Sequence, residues 1–423
     1  MTASPDFFPS LRFGLFVHFG LYSQLGRGEW VMNREGMARS DYRKLADRFV
    51  PSHFDAEALA QRAVATGMRY LVFTTMHHDG FRLYHSELTD FCSTKAATGR
   101  DFTAEILAAC RKYGLKVGLY HSLNNWMDQP DAVDALEDPA ARVRFLDATH
   151  RRIEELVTRY QPIDILWYDG WWPFNAEGWE AERMNAMARR IQPHLLFNGR
   201  NGLPGDFATP EQHISPPHPW RPWEACVTLN DHWGYHAGDR NWKSPLDLIQ
   251  LLAKTGQHRG NLLLNVGPDG EGCLPAECQA LLEKVGRWVA TNRESVFETD
   301  PWTIAPFHRG NHRGDWSDHG IFTARGNHLY LIVTSPPVGE LALAGLEMRV
   351  EDVRVLGGSQ LPFRQTGATL HVALDTLPPA GKDFPSVLRF TCDGPPGIYL
   401  TGGARTPSVT HPRYDPLPSD INW

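Results

Sequence analysis

Side chains that can move protons or hold hydroxyl groups stand at the ends of successive short apolar runs. His18 closes the run 13–18, His77, His78 and Asp79 follow 70–74, and His121 closes 116–121. Asp169 follows the run 163–168, and Asn198 closes 195–198 with Arg200 just beyond. A single strand-end histidine is commonly a satisfied rim or core residue, but five successive runs ending this way describe polar groups converging on one mouth. Groups gathered in one concave site are suited to acid–base or nucleophilic chemistry, because burial and mutual charge set their proton affinities.

Asp169 is the sharpest member. It follows Ile165, Leu166, Trp167 and Tyr168 and precedes Gly170, Trp171 and Trp172, so a carboxylate stands beside aromatic surface. Its bland alternative is a helix N-cap. Aromatic faces suit the apolar C–H faces of pyranoses, and 14 tryptophans are available, with Trp30 and Trp171 singled out among many that serve a core equally well. Sugar hydrolysis with retention needs two carboxyl groups about 5 to 5.5 Å apart, one attacking the anomeric carbon and one protonating the leaving oxygen. Asp169 fits the first role. For the second, Glu211 lies in a loop after the fifth run, and Glu224 precedes the strand-like stretch 227–229, a less natural position at a mouth. Glu211 is therefore the expected acid/base.

The elements that must position these residues alternate. A helical stripe from Phe54, with Asp55 as N-cap and Gly67 as stop, precedes the strand 70–74. Helices over 103–113, 140–160, 180–191 and 245–254 each lead into a strand, the last being 261–266. Such alternation in a chain of 423 residues predicts an α/β fold, a (β/α)8-type barrel, rather than an open sheet, and no glycine-rich dinucleotide fingerprint follows the first strand. After the helix 275–292 the texture becomes rich in Gly, Pro and short β-prone runs, at 329–334, 350–355 and 386–390. The expected organisation is a catalytic barrel over 1–300 and a small β-sandwich over 301–423 that ends in an irregular tail from 402.

Composition narrows the partners. A net charge of −7 without a basic cluster argues against nucleic acid, and no apolar run is long enough to span a bilayer. Residues 1–10 lack a basic segment followed by an apolar stretch, so a cytoplasmic location is expected. The six cysteines are scattered and read as buried thiols rather than a metal site.

The segments FGLFVHFG (13–20), GEW (28–30), HHDGF (77–81), WYDG (167–170), WE (223–224) and NLLLNVGP (261–268) occur in the order and form in which they stand in family 29 of the glycoside hydrolases, the α-L-fucosidases. The chain resembles that family from about Phe13 to the region of Pro301. The resemblance implies a retaining exo-glycosidase acting on fucosylated glycans or glycosides, with the nucleophile on Asp169 and no metal or other cofactor. It also implies fucose contacts from His18, Glu29, Trp30, His77, His78 and Arg200; beside these, His121, Trp171 and Glu224 are expected as further contacts from their own positions. His121 departs from the family pattern, which has a pair of tyrosines at 120–121. A metal-dependent hydrolase using His18, His77, His78 and Asp169, and a sugar-binding protein without turnover, are the rival readings. Oligomeric state is not legible.

Overall fold

A computed structural model describes residues 7–300, 319–375, 377 and 384–397. The proposed tail from 402 and the stretch 301–318 lie outside the described residues. The chain divides into two units, one of residues 1–213, 217–244 and 260–290, the other of 214–216, 245–259 and 291–423.

The first unit is built on seven parallel strands: β1 (Phe13–Val17), β2 (Tyr70–Met76), β3 (Lys116–Ser122), β4 (Ile165–Asp169), β5 (Leu196–Phe197), β6 (Glu224–Thr228) and β7 (Asn261–Val266). They pair in the order β5-β4-β3-β2-β1-β7-β6. Every residue of β1, β2, β6 and β7 is buried, as a parallel sheet covered on both faces requires. The two edges are joined by residues 206–212. Asp206 N donates to Phe197 O (2.7 Å), and Ala208 N donates to Pro222 O (2.9 Å). Further along, Glu224 N donates to Ala208 O (2.9 Å), Cys226 N to Pro210 O (3.1 Å) and Gln212 N to Cys226 O (2.9 Å). This irregular eighth element makes the curled sheet a barrel of the expected type.

The helices form where capping and periodicity place them. Ala56–Thr66 starts with the Asp55 side chain accepting from Ala58 N and stops at Gly67, whose φ of +90° suits glycine. Phe102–Tyr113 repeats the device with Asp101 and Gly114. Pro139–Arg159 carries proline in its first turn, where its missing N–H costs nothing. Among the described residues no helix is long and apolar enough to cross a membrane.

The second unit contains two antiparallel sheets. The three-stranded one pairs β10 (Glu340–Leu343), β13 (Thr369–Ala373) and β12 (Phe363–Thr366). The four-stranded one pairs β11 (Val350–Val355), β14 (Val387–Cys392), β9 (His328–Val333) and β8 (Gly320–Arg325). Leu331, Val353, Leu388 and Phe390 from one and Leu341, Leu370 and Val372 from the other share one apolar core, the arrangement of a small sandwich.

Candidate active site

Side chains alternate along a strand, so residues two apart share a face. Phe16 of β1 and His18 just past its end therefore face inward together; in β4, Trp167 and Asp169 do so, and in β3, Tyr120 does. These residues line a cavity of about 160 Å³. Trp30, Trp172 and Trp233 form its aromatic wall, and His77, His78, Arg200, Glu211 and Cys226 complete it. Seven of the residues expected from the sequence are thus brought together: His18, Trp30, His77, His78, Asp169, Arg200 and Glu211.

Asp169 sits at the C-terminal end of β4. Tyr120 Oη donates to its Oδ2 (2.9 Å), Arg200 Nη1 donates to its Oδ1 (3.0 Å), and His78 Nε2 lies 3.8 Å from Oδ2. Burial alone would raise the Asp169 pKa, but Arg200, His78 and the Tyr120 hydrogen bond outweigh it and hold the carboxyl below its ordinary value. Because burial pushes His78 down to about 4, that ring is neutral near pH 7, and Arg200 is the standing counter-charge. Arg200 also reaches Glu211: its Nη2 donates to Glu211 Oε2 (2.7 Å), while its Nε donates to Thr209 Oγ1 (3.2 Å). The guanidinium lies over the Trp167 ring at 4.7 Å, which fixes its plane.

The histidines are set by their partners. His78 Nδ1 is 2.6 Å from Ser122 Oγ, and that hydroxyl gives its single proton to Asn124 O (2.5 Å). His78 must then donate from Nδ1, leaving Nε2 as an acceptor facing the cavity. His18 Nδ1 is 2.6 Å from Asn265 Oδ1, while Asn265 Nδ2 donates to Trp233 O (2.7 Å), so the same logic gives His18 an acceptor Nε2. Burial lowers the His18 pKa to about 3, which keeps the ring neutral. Neutral acceptor nitrogens are matched to hydroxyl donors. Gly170 follows Asp169 with φ +65°, and a Cβ there would lie 2.5 Å from Ser122 Oγ and 3.1 Å from His78 Nδ1; only glycine leaves space for that pair.

Four expected contacts stand elsewhere. His121 follows the inward Tyr120 and so projects to the opposite face of β3, fully buried, with Thr75 Oγ1 3.4 Å from its Nδ1. Trp171 is 45% exposed and outside the cavity wall, because the turn at Gly170 presents Trp172 instead, stacked on Trp30 at 6.0 Å. Glu29 is buried and is not among the lining residues, and its Oε2 accepts from Gly234 N (2.8 Å). Glu224 begins β6, three residues before the strand expected at 227, and shares its inward face with Cys226. Two residues along a strand put it roughly 6–7 Å deeper than the cavity wall. Glu211, expected in a loop, lies on the irregular closing element.

Phe16, Tyr120, Trp167, Trp172, Cys226 and Trp233 line the cavity without having been singled out as site residues. The signal for Phe16 and Trp167 was strand alternation, since each precedes a strand-end site residue by two. Among the described residues, no group of three or more His, Cys, Asp and Glu side chains is placed to hold a metal ion.

Comparison with known proteins places this geometry in context. The family model described as Alpha-L-fucosidase matches residues 1–294. The chain is similar to the α-L-fucosidase isoenzyme 1 structure from Paenibacillus thiaminolyticus, with 35% identity, TM-score 0.82, and coverage of 92% of this chain and 98% of that one. It is also similar to a GH29 α-L-fucosidase from Bacteroides thetaiotaomicron solved as a trapped covalent intermediate with 2-fluoro-fucosyl fluoride. That match has 25% identity, TM-score 0.80, and covers 93% of this chain and 97% of that one. The α-L-fucosidase of Dictyostelium discoideum is 28% identical over 339 residues, 71% of this chain and 73% of its own.

Proposed function

The chain belongs to the α-L-fucosidase family, and from that membership we propose that Asp169 is the nucleophile and Glu211 the acid/base of its retaining hydrolysis of terminal α-L-fucosyl groups. In the first step an Asp169 oxygen bonds to the anomeric carbon as the bond to the leaving oxygen breaks. Glu211 gives that oxygen its proton. In the second step Glu211 takes a proton from water, whose oxygen displaces Asp169 and releases fucose. The observation that carries the assignment is the Arg200 bridge. One planar guanidinium bonds both carboxyl groups and so holds them at one mouth, as a paired nucleophile and acid/base require.

Substrate recognition follows from the walls. The acceptor nitrogens of His18 and His78 suit sugar hydroxyls, and Trp30, Trp172 and Trp233 offer surface for the C–H and methyl faces. The test is release of 4-nitrophenol from its α-L-fucoside by the wild type and Asp169→Gly, with and without azide. A loss of at least about 10³-fold, with azide restoring turnover and yielding β-fucosyl azide, is expected. Unimpaired turnover by Asp169→Gly would overturn the assignment.

A further inference from the structure

Glu224 is a carboxyl group that the reaction above does not use, and it is completely buried. Its Oε2 accepts from Tyr70 Oη (2.8 Å) and its Oε1 accepts from Trp167 Nε1 (2.7 Å). An indole N–H can only donate, so it needs an acceptor at this depth, and no neutral apolar residue supplies one. Tyr70 is held in turn: its ring occupies the space beside Gly14, where a Cβ would come within 2.4 Å of it. The chain of contact then runs upward. Trp167 presents its face to Arg200, and Arg200 grips Asp169 and Glu211.

We propose that Glu224 is a positioning residue for the catalytic carboxyl pair: from the barrel interior it clamps Trp167, and the clamped indole sets where Arg200 holds Asp169 and Glu211. The inference rests on the assignment of those two carboxyl groups. It does not depend on the charge of Glu224. Burial raises its pKa to about 7, against the hydrogen bonds from Trp167 and Tyr70 and the nearby Arg200, which lower it. When the acid is protonated, the proton sits on Oε2, because Oε1 faces an obligate donor. The bond to Trp167 survives in both states. Glutamine reproduces the protonated form, with its carbonyl toward Trp167 and its amide toward Tyr70, whereas leucine leaves both partners unpaired.

The experiment compares wild type, Glu224→Gln, Glu224→Leu and Tyr70→Phe on 4-nitrophenyl α-L-fucoside, with active sites titrated and thermal midpoints measured separately. The Trp167 indole N–H is followed by NMR of protein labelled with ¹⁵N-tryptophan, a readout independent of turnover. Glu224→Leu is expected to lower kcat on the order of 10- to 100-fold with KM changed by less than about threefold. Its acidic limb of kcat should move to higher pH, since Arg200 no longer supports ionised Asp169 as well, and the indole resonance should shift. Glu224→Gln should recover most of kcat and the wild-type pH limb, and Tyr70→Phe should show a smaller loss in the same direction. A folded Glu224→Leu with wild-type kcat, pH limbs and indole resonance would overturn the proposal, as would a Glu224→Gln as impaired as the leucine variant. If Glu224→Leu does not fold, an unchanged indole resonance and pH profile in Tyr70→Phe overturns it instead. A failure of the carboxylate assignment is seen separately, as full turnover by Asp169→Gly.

Discussion

The two carboxyl groups of the cavity stand on very different ground. Asp169 ends a regular strand paired along its length with β3, its side chain is 14% exposed, and it takes hydrogen bonds from both Tyr120 and Arg200. Glu211 rides on the irregular element that closes the barrel, its side chain is 40% exposed, and the only side chain donating to its carboxyl group among the described residues is Arg200. A nucleophile must be ionised and aimed, which favours a fixed, many-donor setting; an acid/base must exchange protons with a leaving group and then with water, which favours access. The contrast separates the two proposed roles by surroundings rather than by residue type.

The first way to break the contrast is the Asp169→Gly experiment, where the largest loss is expected. Glu211→Gln should come next. Turnover of fucosides with poor leaving groups should fall by about 10² to 10⁴-fold, and less for 4-nitrophenol, which departs without much help. Azide should rescue it with α-fucosyl azide as product, the opposite configuration from the Asp169 variant. Equal losses on both leaving groups would remove Glu211 from the acid role. Tyr120→Phe sharpens the comparison on the other side. Removing a donor to the ionised carboxyl raises the Asp169 pKa, so the acidic limb of kcat/KM should move upward, with a loss of about tenfold at neutral pH. An unmoved limb would mean Arg200 alone sets that ionisation. The smallest effects separate neighbouring tryptophans: Trp172→Ala should raise KM several-fold, roughly threefold or more, and Trp171→Ala should leave KM within about twofold. The reverse order would place the wrong indole at the wall.

What the sequence made legible follows from which physical signals are local. Asp55 and Gly67, or Asp101 and Gly114, announce their helices because a cap acts on its own backbone. Strand-end polarity located His18, His77, His78, Asp169 and Arg200 because strands of a barrel all deliver their C-terminal ends to one face. His121 was misplaced because strand-end position was read without the period of two, which gives the inward place to Tyr120. Glu224, expected among the sugar contacts, instead begins β6, two residues deeper than Cys226 at the cavity wall, a depth its place before the stretch 227–229 already disfavoured for a contact at the mouth. The short element at 206–212 has no periodic pattern to read; its pairing is made by backbone groups of Pro210 and its neighbours, and backbone pairing of so short a run leaves little trace in side-chain types. Trp172 replaced Trp171 through the positive φ of Gly170, a turn geometry that the letters alone do not specify.

That closing element also has a kinetic meaning. Its bonds join near neighbours in the chain, Asn198 with Phe207, Ala208 with Trp223 and Glu211 with Cys226, whereas β1 and β7 must meet from opposite ends of the barrel sequence. Loop-closure entropy grows with the logarithm of the span, so the seam costs little to form and little to reform. The amides of Ala208, Gln212, Glu224 and Cys226 donate across that seam, and their hydrogen exchange is expected to run faster than that of the β1–β7 pairing. Glu211, the proposed acid/base, is carried by that seam, while Asp169, the proposed nucleophile, ends the regular strand β4.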